Sequence, residues 1–143
     1  MVSWLIFALL SAVFASLVAI FGKIGLANVD SNIATAIRAG IMFLFMTGVI
    51  LAQGKFSQVP EVFQNHKALF YIVLSGIVGA LSWLFYFLAL KFGTVSQVVP
   101  IDRLSIVFAL ILAIFILGEK VTINSVVGIV LIVIGSIVIA LGK

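Results

Sequence analysis

The chain has 143 residues, 65% of them hydrophobic and only 8% charged, and its mean hydropathy is +1.47. A water-soluble domain needs far more polar surface to cover its core, so this balance belongs to a chain solvated by lipid. The net charge of +4 is dispersed between apolar runs, which leaves no basic cluster for nucleic acid, and the absence of cysteine excludes disulfides, thiolate metal sites and thiol nucleophiles.

A hydrocarbon core about 30 Å thick takes about 20 apolar residues at 1.5 Å each. Runs of that length fall at about 2–22, 33–52, 68–90, 95–117 and 121–142. They predict an all-α membrane protein, a single domain over 1–143 with five transmembrane helices. The first run stops at Lys23. It lacks the basic leader and the small-residue cleavage site of a signal peptide and is expected to stay in the protein. The second follows Asp30-Ser31-Asn32, residues suited to capping a helix N-terminus, and ends before Gln53-Gly54-Lys55. In the long link after it, Pro60-Glu61 predicts a short helix on the membrane surface, with Val59, Val62 and Phe63 on its apolar side. The third run lies uncharged between Lys67 and Lys91. The fourth ends at Gly118-Glu119-Lys120, a stop with a helix-terminating glycine, and the fifth lies between Lys120 and Lys143. The short links at 92–94 and 118–121 predict antiparallel neighbours.

Small residues recur along these helices. Ala8, Ala12, Ala15, Ala19 and Gly22 share one face of the first; Ser75 with Gly79 and Gly76 with Ala80 are spaced by four in the third; Gly128, Gly135 and Gly142 recur every seven residues in the fifth. In lipid, close backbone approach holds helices together, so these read as packing seams, either within the chain or toward a second subunit. Lys55, Lys67 and Lys120 flank the spans on the N-terminal side of the membrane, and Lys23, Lys91 and Lys143 on the other. Orientation follows Lys/Arg asymmetry, and three against three gives almost none. Two readings stand: insertion both ways with an inverted pair of copies, or one orientation fixed by the deeper arginines or host factors.

Three charges lie inside the spans: Arg38, Asp102 and Arg103. Each costs about 2.5–3.5 kcal/mol near a helix centre unless it finds a partner or a hydrated space. Arg38 is seven residues beyond Ser31, and Asp102 seven beyond Val95. At 1.5 Å per residue both lie about 10 Å from the same membrane face. Trp83 counts to a similar depth from Leu90, with Ser82 and Gln97 near it. Pro100 removes a backbone donor and is expected to kink or open the fourth helix there. This layer reads as a binding chamber or, alternatively, as an Arg38–Asp102 ion pair that locks two helices while Arg103 snorkels outward. Trp4, Tyr71 and Tyr86 lie near span ends, where rings prefer the headgroup level. His66 and Glu119-Lys120 read as surface positions.

Ala89-Leu90-Lys91-Phe92-Gly93 through Pro100, Val107-Phe108-Ala109, Ile116-Leu117-Gly118-Glu119-Lys120 and the glycine-punctuated stretch Gly128–Gly135 together resemble an EamA-type repeat of the drug/metabolite transporter superfamily. Asp30-Ser31-Asn32 leading to Arg38, and Pro100-Ile101-Asp102-Arg103-Leu104-Ser105, are similar to its short single-repeat branch in bacteria and archaea. Larger relatives carry two repeats in inverted topology around a substrate cavity, so the resemblance implies a homodimer, antiparallel in the two-way reading, in a bacterial or archaeal cell membrane. The chain is also similar in size to the small multidrug resistance proteins. It lacks their first-helix glutamate, reading Ala12, Val13, Phe14 instead, which argues against proton-coupled export of cationic drugs.

The resemblance implies a secondary transporter working by alternating access on a small metabolite or drug-like solute. Arg38 and Arg103 would hold an anionic or polar group, Trp83 would pack against it, and Asp102 would pair with Arg38 or take a coupling proton. A channel would need a polar stripe through several helices, and polarity here is confined to one layer. A non-transporting accessory subunit would tolerate neutralising that layer. One histidine, no cysteine and no intramembrane carboxylate pair leave nothing for acid–base catalysis, so no enzyme is expected, and no cofactor or metal. Five spans put positions 2 and 143 on opposite sides: Val2→Cys and Lys143→Cys should label from opposite faces of sealed vesicles in any one molecule, and same-face labelling excludes an odd count.

Overall fold

The computed structural model describes residues 3–142. Among them are α1 (Ser3–Gly25), α2 (Ser31–Ala52), a 3-10 turn (Phe56–Gln58), α3 (Val59–Gln64), α4 (His66–Phe92), α5 (Val95–Asp102), α6 (Ser105–Leu112), a π-helical turn (Ala113–Leu117) and α7 (Ile123–Leu141). Five helical segments are long and apolar enough to cross a membrane, the fourth being Val95–Leu117. The protein is an all-α membrane protein, as its composition requires. The short helix expected at Pro60-Glu61 is α3, with proline in its first turn.

Each span after the first begins on a side chain that takes up backbone N–H groups left without helical partners. Asp30 Oδ1 accepts from Asn32 N at 2.8 Å and Ile33 N at 3.2 Å, so α2 starts at Ser31, two residues before the apolar run. Asn65 Oδ1 accepts from Ala68 N at 3.1 Å. Thr94 N and Oγ1 both donate to Gln97 Oε1, at 3.2 and 3.0 Å. Thr122 Oγ1 accepts from Ser125 N at 3.3 Å. Gln97 therefore spends its side chain on a helix start. At the other end of the fourth span, Gly118 adopts φ 67°, ψ 23°, and Glu119 N reaches back to the Ala113 carbonyl at 3.2 Å, which stops the helix as the sequence predicts.

The fourth span is interrupted in its middle. Arg103 N still bonds four residues back, to Val99 O, but Leu104 N bonds to Ile101 O and Ile106 N to Arg103 O, three residues back. Pro100 starts the change, since it cannot donate to the Ser96 carbonyl and its ring crowds it. The interruption at Arg103-Leu104 adjoins Asp102, so the opening that proline predicts falls beside the intramembrane charges.

The chain divides into two compact units, Met1–Lys23 with Phe92–Lys143, and Ile24–Lys91. In the first, α5 packs on α7, and Val95, Val99 and Pro100 share a cavity wall with Ile139 near the far end of α7. The fourth and fifth spans therefore run antiparallel, as their short link predicts. Lys23 Nζ donates to the Gly93 carbonyl at 2.8 Å in this unit. The second unit holds α2, α3 and α4, with Phe87 and Leu90 buried.

Four of the glycines read as seams, Gly76, Gly79, Gly128 and Gly135, do not pack against a neighbour within their own unit. A Cβ at Gly76, Gly79, Gly128 or Gly135 would meet nothing within 4 Å. Gly118 differs, because its left-handed backbone costs an L side chain about 1–2 kcal/mol. Gly118→Ala should therefore lower the unfolding midpoint in detergent, followed by helical circular dichroism, whereas Gly48→Ala, in open space on α2, should leave it unchanged or slightly higher. Equal effects would remove the conformational argument.

Candidate functional site

The second unit places two helix faces opposite each other. On α2, Thr35, Arg38, Ala39 and Met42 follow the spacing of one helical stripe; on α4, Ser75, Gly76, Gly79, Ala80 and Trp83 do the same. Together they line a cavity of about 280 Å³. The small residues read from sequence as a seam are thus the floor of a space.

Arg38 forms one wall. Its guanidinium carbon lies 3.5 Å from the centroid of the Trp83 ring and 4.8 Å from that of Phe87. At 3.5 Å the planar group must lie flat on the indole, because an edge-on approach would drive its nitrogens into the ring. One face of the cation is covered, Phe87 flanks part of its rim, and the rest of its N–H edge is left to make hydrogen bonds. Among the described residues the acceptor on that edge is the Met42 thioether, 3.6 Å from Nη2, a weak partner for a group with five donors.

The aromatic wall is itself built by helical spacing. Trp83 stacks on Phe87, one turn on, with centroids 5.8 Å apart and planes at 29°, and Tyr86 meets Trp83 edge-on at 5.6 Å. Tyr86 therefore belongs to this cluster. Phe87 is only 3% exposed and flanks the guanidinium on the same side of the indole, 4.8 Å from its central carbon. The depth count put Arg38 and Trp83 level, and they stand in contact. The count missed Phe87 and Met42, although both lie four residues from those two, one helical turn away.

A cation over an aromatic face gains about 0.5–2 kcal/mol, less than the roughly 2.5–3.5 kcal/mol cost of an arginine at a helix centre. Trp83 thus offsets part of the cost of Arg38. The rest requires hydrogen-bond acceptors, from water or from a bound molecule.

The other two charges lie in the first unit. Asp102 ends α5 and Arg103 follows it at the interruption; both are exposed. Pro100 also lines that unit's cavity of about 280 Å³, with Ser16, Ala19, Ile20, Val95, Ser96, Val99 and Ile139. That cavity has no charged residue in its wall. Among the described residues no cluster of His, Cys, Asp or Glu is placed to hold a metal ion.

Comparison with known proteins agrees with this architecture. The EamA-like transporter family matches residues 2–141. A protein of Sinorhizobium sp, described as an uncharacterized transporter in the cobO 3' region, is 37% identical over 138 residues, covering 96% of either chain. No solved structure matches the chain. A match over nearly the whole length, on a chain of five apolar helices, places this protein in the EamA-like transporter family of the drug/metabolite transporter superfamily, a multi-pass membrane protein of a transporter family.

Proposed function

We propose that the chain is a secondary transporter that moves a small metabolite or drug-like solute across a bacterial or archaeal cell membrane by alternating access, working as an antiparallel homodimer. The observation that carries this is the α2–α4 cavity. It holds an intramembrane cation, seated on an aromatic ring, whose hydrogen-bonding edge meets a thioether among the described residues. An ionisable group kept inside a span at such cost marks a solute or ion path. A passive pore would need polar lining along its length, and beyond Arg38 the cavity wall offers only the Thr35 and Ser75 hydroxyls among its described polar side chains, apart from the Trp83 indole N–H.

The coupling role falls to the fourth span. Asp102 is the only carboxylate within the five apolar runs, and it stands where α5 gives way to three-residue hydrogen bonding. A broken helix with an acidic side chain at the break can take up a proton and change shape together. Arg103, next in the chain, supplies a second cation for the solute path. The homodimer rests on the family's use of paired repeats, and its antiparallel form on the three-to-three balance of flanking lysines.

Two experiments test the reading. In liposomes holding the purified protein, uptake from a labelled pool of small polar and amphipathic solutes should be accelerated by a pH gradient. Asp102→Asn should abolish the response to the gradient while leaving solute exchange at equilibrium, and Arg103→Ala should leave assembly intact and lower uptake several-fold. Wild-type transport by the Asp102→Asn and Arg103→Ala variants together would leave the charges without a role. For orientation, two lysines added to the 91–94 turn or to the 118–121 turn should shift a mixed population to one topology, in opposite senses. A wild-type protein already inserted one way excludes the antiparallel pair.

A further inference from the structure

We propose that the α2–α4 cavity takes a small monocarboxylate with an apolar body, and that Arg38 reads its carboxylate edge-on while Trp83 holds the guanidinium flat. This deepens the transport reading and rests on it for the fate of the bound molecule.

Charge selects the class first. Of the described residues lining the cavity, Arg38 alone is ionisable. A single guanidinium neutralises a monoanion; a dianion such as phosphate would keep an uncompensated charge in a low-dielectric site, and a cation would be repelled. A zwitterion fares no better, since its ammonium would find no carboxylate in the wall.

Geometry selects the headgroup. With Trp83 covering the cation's face at 3.5 Å, the donors that remain lie in one plane along the edge. Two coplanar acceptors match that fork, and a carboxylate presents them. The Met42 sulfur at 3.6 Å is weak enough to be displaced.

The walls select the body. Ala39, Met42, Gly76, Gly79 and Ala80 make most of the wall apolar; of the two hydroxyls that join them, that of Thr35 donates to the Ser31 carbonyl at 2.7 Å, and that of Ser75 is small. At roughly 30 Å³ for each water-sized group, a space of about 280 Å³ holds roughly nine non-hydrogen atoms, the size of a ring or short chain bearing one carboxylate. Open space beside Gly76 and Gly79, where a Cβ would meet nothing within 4 Å, shows that no neighbouring side chain occupies the floor.

Trp83 makes the inference measurable without transport. The sequence has two tryptophans, Trp4 and Trp83, so Trp4→Phe leaves Trp83 as the sole indole reporter; Trp4 is 70% exposed on α1 and outside the cavity. In this background, cyclohexanecarboxylate should shift the Trp83 emission saturably. Its neutral isostere cyclohexanecarboxamide, the cation cyclohexylmethylammonium and inorganic phosphate should each bind at least about tenfold more weakly, the loss expected on removing a charge-assisted hydrogen-bonded pair. Arg38→Gln should bring the carboxylate down to the level of the carboxamide. Gly79→Leu should block the site with Arg38 intact, since a side chain there enters open space instead of a packed neighbour. Equal binding of carboxylate and carboxamide, or undiminished carboxylate binding in Arg38→Gln, overturns the proposal. So does the lack of any saturable shift in protein that carries another solute down a pH gradient, an outcome that leaves the transport reading standing. Saturable, Arg38-dependent carboxylate binding without uptake in liposomes upholds the monocarboxylate site and removes the transport reading instead.

Discussion

Lipid offers no hydrogen bonds, and the rest of the structure follows from that. A peptide group left unpaired in the bilayer costs several kcal/mol, so every crossing segment is a helix, and every helix end has to find partners for the groups its own ladder leaves over. Asp30, Asn65, Thr94 with Gln97, and Thr122 take up N–H groups where α2, α4, α5 and α7 begin. Gly118 turns the chain so that Glu119 N can return to the Ala113 carbonyl. Polar residues stand at these points because there they complete the hydrogen bonds that the helix ladder leaves open.

The one relaxation of the rule is instructive. Pro100 deprives the Ser96 carbonyl of its donor, and after it the bonds at Leu104 and Ile106 shorten to three-residue steps. Lengthening again into a π-helical turn at Ala113–Leu117 gives the fourth span three kinds of helical bonding within one crossing. Such irregularity survives in a membrane where protein or water covers the exposed backbone, and π turns often mark functional positions. The three-residue steps at Leu104 and Ile106 stand beside Asp102 and Arg103, two of the three charges within the apolar runs.

Arg38 meets the same solvent by a different route. Stacking on Trp83, with Phe87 beside the cation, recovers part of what burial of the cation costs, and does so through a surface of the guanidinium that makes no hydrogen bonds. The polar edge stays available. A salt bridge would have filled that edge and fixed the helices; an aromatic face holds the cation in place and leaves its chemistry unspent. The glycines opposite serve the same end, because without side chains they keep the cavity floor clear.

The crossing number, the helix type, the Asp30 and Gly118 signals and the short helix at Pro60-Glu61 were all determined by the sequence alone. Each depends on local composition: twenty apolar residues span the core, a short acceptor begins a helix, and a residue without a Cβ ends one. The family could also be read there, from motif order over the whole chain. Counting residues from the span ends even put Arg38 and Trp83 at one level. What the count could not supply was direction around the helix axis. Whether Gly76 and Gly79 close a seam or open a cavity, and whether Arg38 finds Trp83 across from it, depend on which faces turn toward each other. Sequence spacing fixes a residue's height on a helix, and only tertiary packing fixes what stands across from it, because a rotation of one helix about its axis leaves every height unchanged and replaces every neighbour.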